Sequence, residues 1–245
     1  ASHYAGVPLR RLKDGVYLAW FPRHGLIIAK HRGNDHELRL LRTLQARPEY
    51  FVRLLGVAGT AQETGSEAMY DDNRGALLLM ERWPHTLQSY HAQNKTRRWR
   101  MWLRQLGAAL RCLHEEFRLE HGDVKPANVL VDPASQRLVL CDFGATCKFG
   151  ESRSRELTMG YAHPDRLIRG TALACNDVWG FGMTACKVLS DSLESGLKIE
   201  SRRHSGSQDM RFVWFCCRYE QRDTPTLAEV LNHGWWDESR EEATL

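Results

Sequence analysis

The hydrophobic pattern of this chain changes period near Trp83-Pro84, and that change limits the possible folds more than any other feature. Upstream, short apolar runs separated by turn residues predict strands at 15–20 and 26–30 around Phe21-Pro22-Arg23-His24-Gly25, and again at 52–57 and 75–80. One helix interrupts them: Asn34 or Asp35 can cap it near His36, and Leu38, Leu40, Leu41 and Leu44 give it an apolar side. Downstream, Trp99, Trp102, Leu103, Leu106, Leu110 and Leu113 recur at helical spacing, as do Val178, Phe181, Ala185, Val188 and Leu189. Between those helices, brief strands at 128–131 and 138–141 flank the turn Asp132-Pro133-Ala134-Ser135. The expectation is an α+β chain. A small antiparallel β part with one short helix spans residues 1–82, a larger helical part spans 83–245, and the two join near 81–85.

Composition narrows the function classes. The 245 residues carry 34 Lys plus Arg against 30 Asp plus Glu, and a net charge of +4 is too mild to imply nucleic acid. An apolar content of 42% with 26% charged residues excludes wholesale disorder, and apolar stretches such as 76–80 are too short to cross a bilayer. A monomer without a transmembrane segment is expected. The seven cysteines form no C-x-x-C, which argues against zinc or thioredoxin chemistry, and an odd count cannot pair fully. A reduced interior is the default, with a Cys147–Cys175 bridge as the alternative on export.

The string His121-Gly122-Asp123-Val124-Lys125-Pro126-Ala127-Asn128, followed by Asp142-Phe143-Gly144, carries the chemistry. Two carboxylates, a lysine and an amide lie on loops beside short strands, a set suited to phosphoryl transfer. Asp142 can hold Mg²⁺, Asn128 can complete the metal shell, and Asp123 can take the proton of an attacking hydroxyl. Lys125 can neutralise charge on the moving group.

These residues resemble a eukaryotic-type protein kinase, whose pattern is H-R-D-x-x-x-x-N followed by D-F-G. Asp123 and Asn128 keep the required spacing, Leu26-Ile27-Ile28-Ala29-Lys30 is close to V-A-I-K, and Glu37 is similar to the helical glutamate that pairs with that lysine. Tyr161-Ala162-His163-Pro164-Asp165 resembles the A-P-E element, with Arg222 as the arginine that pairs with its acid. Asp177 opens a helix similar to the one that anchors the catalytic loop.

The resemblance implies ATP with Mg²⁺ and a two-lobed fold. It implies adenine between Val16, Ala29 and Leu130, backbone bonds from Glu81 to Trp83, Met80 at the back of the pocket, and Lys30 on the α- and β-phosphates. It implies a protein substrate, and Lys125-Pro126 resembles the serine/threonine pattern.

The chain departs from the family at the phosphate-covering G-x-G-x-x-G, where only Gly15 precedes Val16, and at Gly122, which replaces the H-R-D arginine. It also places Glu37 only seven residues after Lys30, and Asp165 where glutamate is usual. The first two departures resemble the secreted With-No-Gly-loop kinases of apicomplexan parasites, which implies action in a parasite-made vacuole. That branch holds active members and a pseudokinase, so a protein-binding scaffold is the second expectation; a small-molecule kinase is a weaker third.

Three further motifs carry less. Gly180-Phe181-Gly182-Met183-Thr184-Ala185 fits a dinucleotide fingerprint but lies inside a predicted helix, which reads as helix packing. Asn94-Lys95-Thr96 is a glycosylation sequon that matters only after export. Lys95, Arg97, Arg98, Arg100 and Arg104 interleave with Trp99 and Trp102, and the helical phase, which puts the Trp residues on the buried side, reads as a solvated basic face.

Overall fold

A computed structural model describes residues 7–31, 35–58, 77–94, 99–151, 158–190 and 207–237. Asn34, Gly75, Lys95, Thr96, Arg97, Arg98, Ser152, Arg153 and Ser154 lie outside the described residues. The chain divides into two compact units, one up to Pro84 and one from His85 onward.

In the first unit, β1 (Val7–Lys13), β2 (Val16–Phe21), β3 (Gly25–His31), β4 (Leu54–Ala58) and β5 (Leu77–Glu81) form one antiparallel sheet in the order β1-β2-β3-β5-β4. β1 is absent from the sequence expectation. It pairs with β2 through the two-residue turn Asp14-Gly15, and Arg11 closes on Asp14 at 2.6 Å. Its sequence hid it, because Pro8 breaks the run and nearly every side chain is exposed.

The register of β2, β3 and β5 separates two faces, since successive side chains alternate. One row, Tyr17–Ala29–Leu79, belongs to a buried cluster with Ala19, Phe21, Ile27 and Leu77. The adjoining rows, Val16–Lys30–Leu78 and Leu18–Ile28–Met80, face the other way. α1 (Asp35–Leu44) buries Leu38, Leu41 and Leu44, and each such residue contributes ~1.5–3 kcal/mol. The helix begins with Asp35 and Glu37 in its first turn, where acidic groups suit the helix dipole.

The second unit opens with the short strand β6 (His85–Thr86) and α2 (Leu87–Gln93), capped reciprocally by Thr86 and Ser89. α3 (Trp99–Glu115) realises the predicted periodicity, with Trp102, Leu103, Leu106, Leu110 and Leu113 buried. β7 (Leu119–Glu120) pairs with β10 (Cys147–Lys148), while β8 (Val129–Asp132) lies between β6 and β9 (Arg137–Leu140). α4 (Pro164–Arg169), α5 (Ala174–Ser190), α6 (Gln208–Cys216) and α7 (Leu227–Leu231) complete the unit.

α5 is buried nearly all round, and its glycines are there for packing, as the sequence suggested. A Cβ on Gly180 would lie 2.9 Å from both Cβ and the carbonyl oxygen of Val124, so only glycine lets α5 approach the 121–128 loop. The seven cysteines form no disulfide among the described residues. Burial pushes the Cys216 and Cys217 thiols up, away from the reactive thiolate. No helix among the described residues is long and apolar enough to cross a membrane.

Candidate active site

The 121–128 loop is pinned from beneath by a buried carboxylate at the start of α5. Asp177 accepts the backbone N–H of His121 at 2.7 Å and of Gly122 at 2.9 Å, and its Oδ2 lies 2.8 Å from His114 Nε2. Burial alone would raise its pKa, but His114 and the N–H donors hold it below the usual carboxylate range. The loop is therefore tied to two helices through one side chain. Gly122 fits that path at φ +79, and a Cβ there would sit 2.8 Å from the Ala145 carbonyl oxygen.

Above this anchor the predicted catalytic residues meet. Asp123 Oδ2 receives Lys125 Nζ at 2.7 Å and Asn128 Nδ2 at 2.9 Å, while its Oδ1 receives the Thr158 hydroxyl at 2.8 Å. Lys125 Nζ also reaches Thr158 Oγ1 at 2.6 Å. Three donors fix the carboxylate's rotamer, one of them the Lys125 side chain. Thr158 is missing from the sequence-derived site. The signal available was its place just ahead of Met159-Gly160-Tyr161.

His121 joins this loop to the Asp142 segment. Its Nδ1 accepts the Asp123 N–H at 3.3 Å, which leaves the ring proton on Nε2 to donate to the Cys141 carbonyl oxygen at 3.1 Å. The ring stands edge-on to Phe143 with centroids 5.3 Å apart. Asp142 itself adopts φ 66, ψ 69, a left-handed conformation that costs an L-residue energy and clusters at functional sites.

The donor set fits Mg²⁺. Asn128 is 1% exposed and spends its amide N–H groups on Asp123, while its Oδ1 accepts no hydrogen bond among the described residues. Its backbone carbonyl oxygen receives the Cys141 N–H at 3.0 Å, which places Asp142 next in the chain. An amide oxygen and a carboxylate are hard ligands, suited to an ion that keeps its remaining positions for phosphate and water. Among the described residues no group of three or more His, Cys, Asp or Glu side chains could hold a metal without such help.

In the first unit, Lys30 Nζ pairs with Glu37 Oε1 at 2.7 Å, with side chains only 18% and 8% exposed. Val16 and Met80 share the face of Lys30. Ala29 does not, which corrects the sequence expectation. Strand alternation turns it into the opposite core at 0% exposure, and Ile28 takes the place on the Lys30 face. Glu81 uses its backbone N–H on the Arg53 carbonyl oxygen at 3.0 Å, and its carboxylate accepts the Arg53 N–H at 3.0 Å. Trp83 is half-buried; Leu130, also half-buried, sits in β8 opposite Val139.

Arg222 is a second correction. Its side chain is 83% exposed with Nε 3.9 Å from Asp223, so it does not pair with Asp165. Asp165 lies in the first turn of α4, where its N–H donates to His163 Nδ1 at 3.1 Å. The buried arginine of this region is instead Arg166, which meets Glu120 at 2.8 Å. Sequence reading missed both partners, which are 46 positions apart and belong to no motif.

Comparison with known proteins agrees with this geometry. A family model described as the protein kinase domain matches residues 30–236. The yeast Saccharomyces cerevisiae Protein kinase MCK1 is 31% identical over 155 residues, covering 56% of this chain and 41% of that protein. The Arabidopsis thaliana protein named Probable receptor-like protein kinase At4g10390 is 30% identical over 205 residues, covering 72% and 56% respectively. This chain therefore spans about half the length of these curated relatives. Among solved structures, the Cydia pomonella granulovirus kinase PK-1 superposes with a TM-score of 0.72 at 21% identity, covering 95% of each chain, a likeness of fold.

Proposed function

We propose, from the premise that this chain belongs to the protein kinase domain family, that it is an active serine/threonine kinase working without a glycine-rich phosphate loop. The observation that carries the reading is the closed set of bonds around Asp123, in which Lys125, Thr158 and Asn128 hold one carboxylate at 2.7–2.9 Å. Asp123 would orient a serine or threonine hydroxyl and accept its proton, and Lys125 would stabilise charge on the phosphoryl oxygens. Lys30, held by Glu37, would bind ATP phosphate. Asn128 and Asp142 would hold Mg²⁺, which when bound neutralises phosphate charge.

The two-residue turn Asp14-Gly15 between β1 and β2 supports membership of the With-No-Gly-loop branch, as does Gly122. On that branch the place of action would be a parasite-made vacuole. The same turn favours a second reading, a pseudokinase that binds a partner protein, because it offers few backbone N–H groups to a triphosphate.

The test is radiolabelled transfer from ATP to dephosphorylated casein, with Asp123→Asn alongside. Catalysis by Asp123 predicts a loss of roughly 10³-fold in kcat with nucleotide affinity nearly unchanged. Transfer within a few-fold of the parent would assign the base elsewhere. No transfer by the parent, and no nucleotide binding at millimolar concentration, would favour the scaffold.

A further inference from the structure

Glu120 ends β7, one residue before the catalytic loop, and is 0% exposed. Its Oε2 gathers three donors: Arg166 Nη1 at 2.8 Å, the Leu173 N–H at 2.6 Å and Asn176 Nδ2 at 3.1 Å. They come from α4, from the α4–α5 connection and from the first turn of α5. A carboxyl buried this completely costs several kcal/mol unless its partners compensate, so three converging donors mark a built feature. Arg166 lies in the first turn of α4, shortly after the segment that carries Thr158 and Tyr161. Gly122 has no room for a side chain, since a Cβ there would meet the Ala145 carbonyl oxygen at 2.8 Å.

Two buried atoms here, Glu120 Oε1 and Arg166 Nη2, have no partner. Both residues line a cavity of about 10 Å³, shared with Gly122, Asp123, Thr158 and Tyr161. That is room for roughly one water. The carboxyl–guanidinium pair thus lies under the same space that the catalytic carboxylate and Thr158 enclose.

We propose that Glu120 and Arg166 are positioning residues, an internal latch that holds the 158–166 segment against Asp123 without a phosphate group. The proposal deepens the kinase reading and rests on it. One end of the latch is fixed to the strand that feeds the catalytic loop, the other to the helix that follows the substrate-side segment. Release would leave Thr158 free to leave Asp123 and Lys125.

The latch has a titratable part. Burial first, then the Asp177 carboxylate, push the Glu120 pKa up to about 8, with Arg166 opposing. The charged or titratable groups facing it are Arg166 from α4 and Asp177 and Cys175 from α5, with Asp123, Tyr161 and His163 around the cavity. Because the folded-state value lies above the ordinary one, stability from the protonated form is complete below about 4.5 and is lost as pH rises through about 8.

Casein phosphorylation from pH 6.5 to 9 and amide exchange across residues 160–165 test the latch in the parent, Arg166→Met and Glu120→Gln. Arg166→Met should cost at least about tenfold in kcat/KM for casein, keep the nucleotide Kd within about twofold, and speed exchange at 160–165 about tenfold. Glu120→Gln, which keeps the acceptor and removes the ionisation, should stay within about threefold of the parent at pH 7 and lose the parent's decline above pH 8. Parent-like exchange and turnover in Arg166→Met would overturn the proposal. So would a Glu120→Gln protein that keeps the parent's pH profile. If Arg166→Met does not fold, the Glu120→Gln profile and exchange decide. If the parent transfers no phosphate, the kinase reading fails, while exchange at 160–165 still judges the latch.

Discussion

Two lysines illustrate how differently the two units secure their chemistry. Lys30 in the first unit pairs with Glu37, on the opening turn of a ten-residue helix. Lys125 in the second meets both Asp123 and Thr158, on a loop that Asp177 fastens to α5 and, through His114, to α3. The second arrangement is over-determined, because Asp123, Lys125 and Thr158 each bond the other two. Over-determination is what lets a protein keep strained conformations such as Asp142 at φ 66. The 121–128 loop is therefore the rigid side of this contrast.

The largest effect should come from disturbing the rigid side at its base. Gly122→Ala meets both a positive φ and the Ala145 carbonyl oxygen at 2.8 Å, so a loss of about 2–4 kcal/mol is expected. Thermal unfolding should show this as a Tm lower by roughly 5–15 °C. A Tm within a degree of the parent would mean the loop yields easily and the contrast is false.

A smaller effect should follow on the other side. Glu37→Gln keeps a hydrogen-bond acceptor for Lys30 and removes the charge, which should lower kcat/KM about 10- to 30-fold, or about 1.4–2 kcal/mol. The folded state should tolerate it. Steady-state kinetics giving a loss as deep as that of Asp123→Asn would make the two sides equally critical.

The least effect is expected from phosphatase treatment. The Thr158 hydroxyl is already engaged by Asp123 and Lys125, and Gly122 presents no cation to a phosphate. Treated protein should keep its activity within about twofold, because no charge-assisted contact is being removed. A large fall, measured by transfer to casein, would show that phosphorylation supplies order that the internal bonds do not.

What was legible in the sequence follows from how local each signal is. The 121–128 string and Asp142 could be read because the chemistry needs fixed residue types at fixed short spacing. α3 could be read because one apolar face repeats along its 17 residues. β1 could not, since its side chains are mostly exposed and its pairing with β2 shifts register twice. Ala29 was misplaced by a single residue, which in a strand moves a side chain to the other face. Arg222 was assigned from its neighbours in sequence, and folding leaves it in solvent. The Glu120–Arg166 pair was out of reach, because buried polar partners far apart in the chain leave no periodic trace.

The exposed strand β1 has a consequence beyond the site. It forms one border of the five-stranded sheet, so one row of its backbone donors and acceptors has no neighbouring strand in that sheet. Such a border invites a strand from another molecule. Here it carries Pro8, which removes one donor, and Arg10, Arg11 and Lys13, whose like charges would confront those of an identical strand brought alongside. Two register shifts bend it further from the flat template that stacking requires. The residues that made this strand hard to recognise are the ones that guard the sheet against growing into its neighbours.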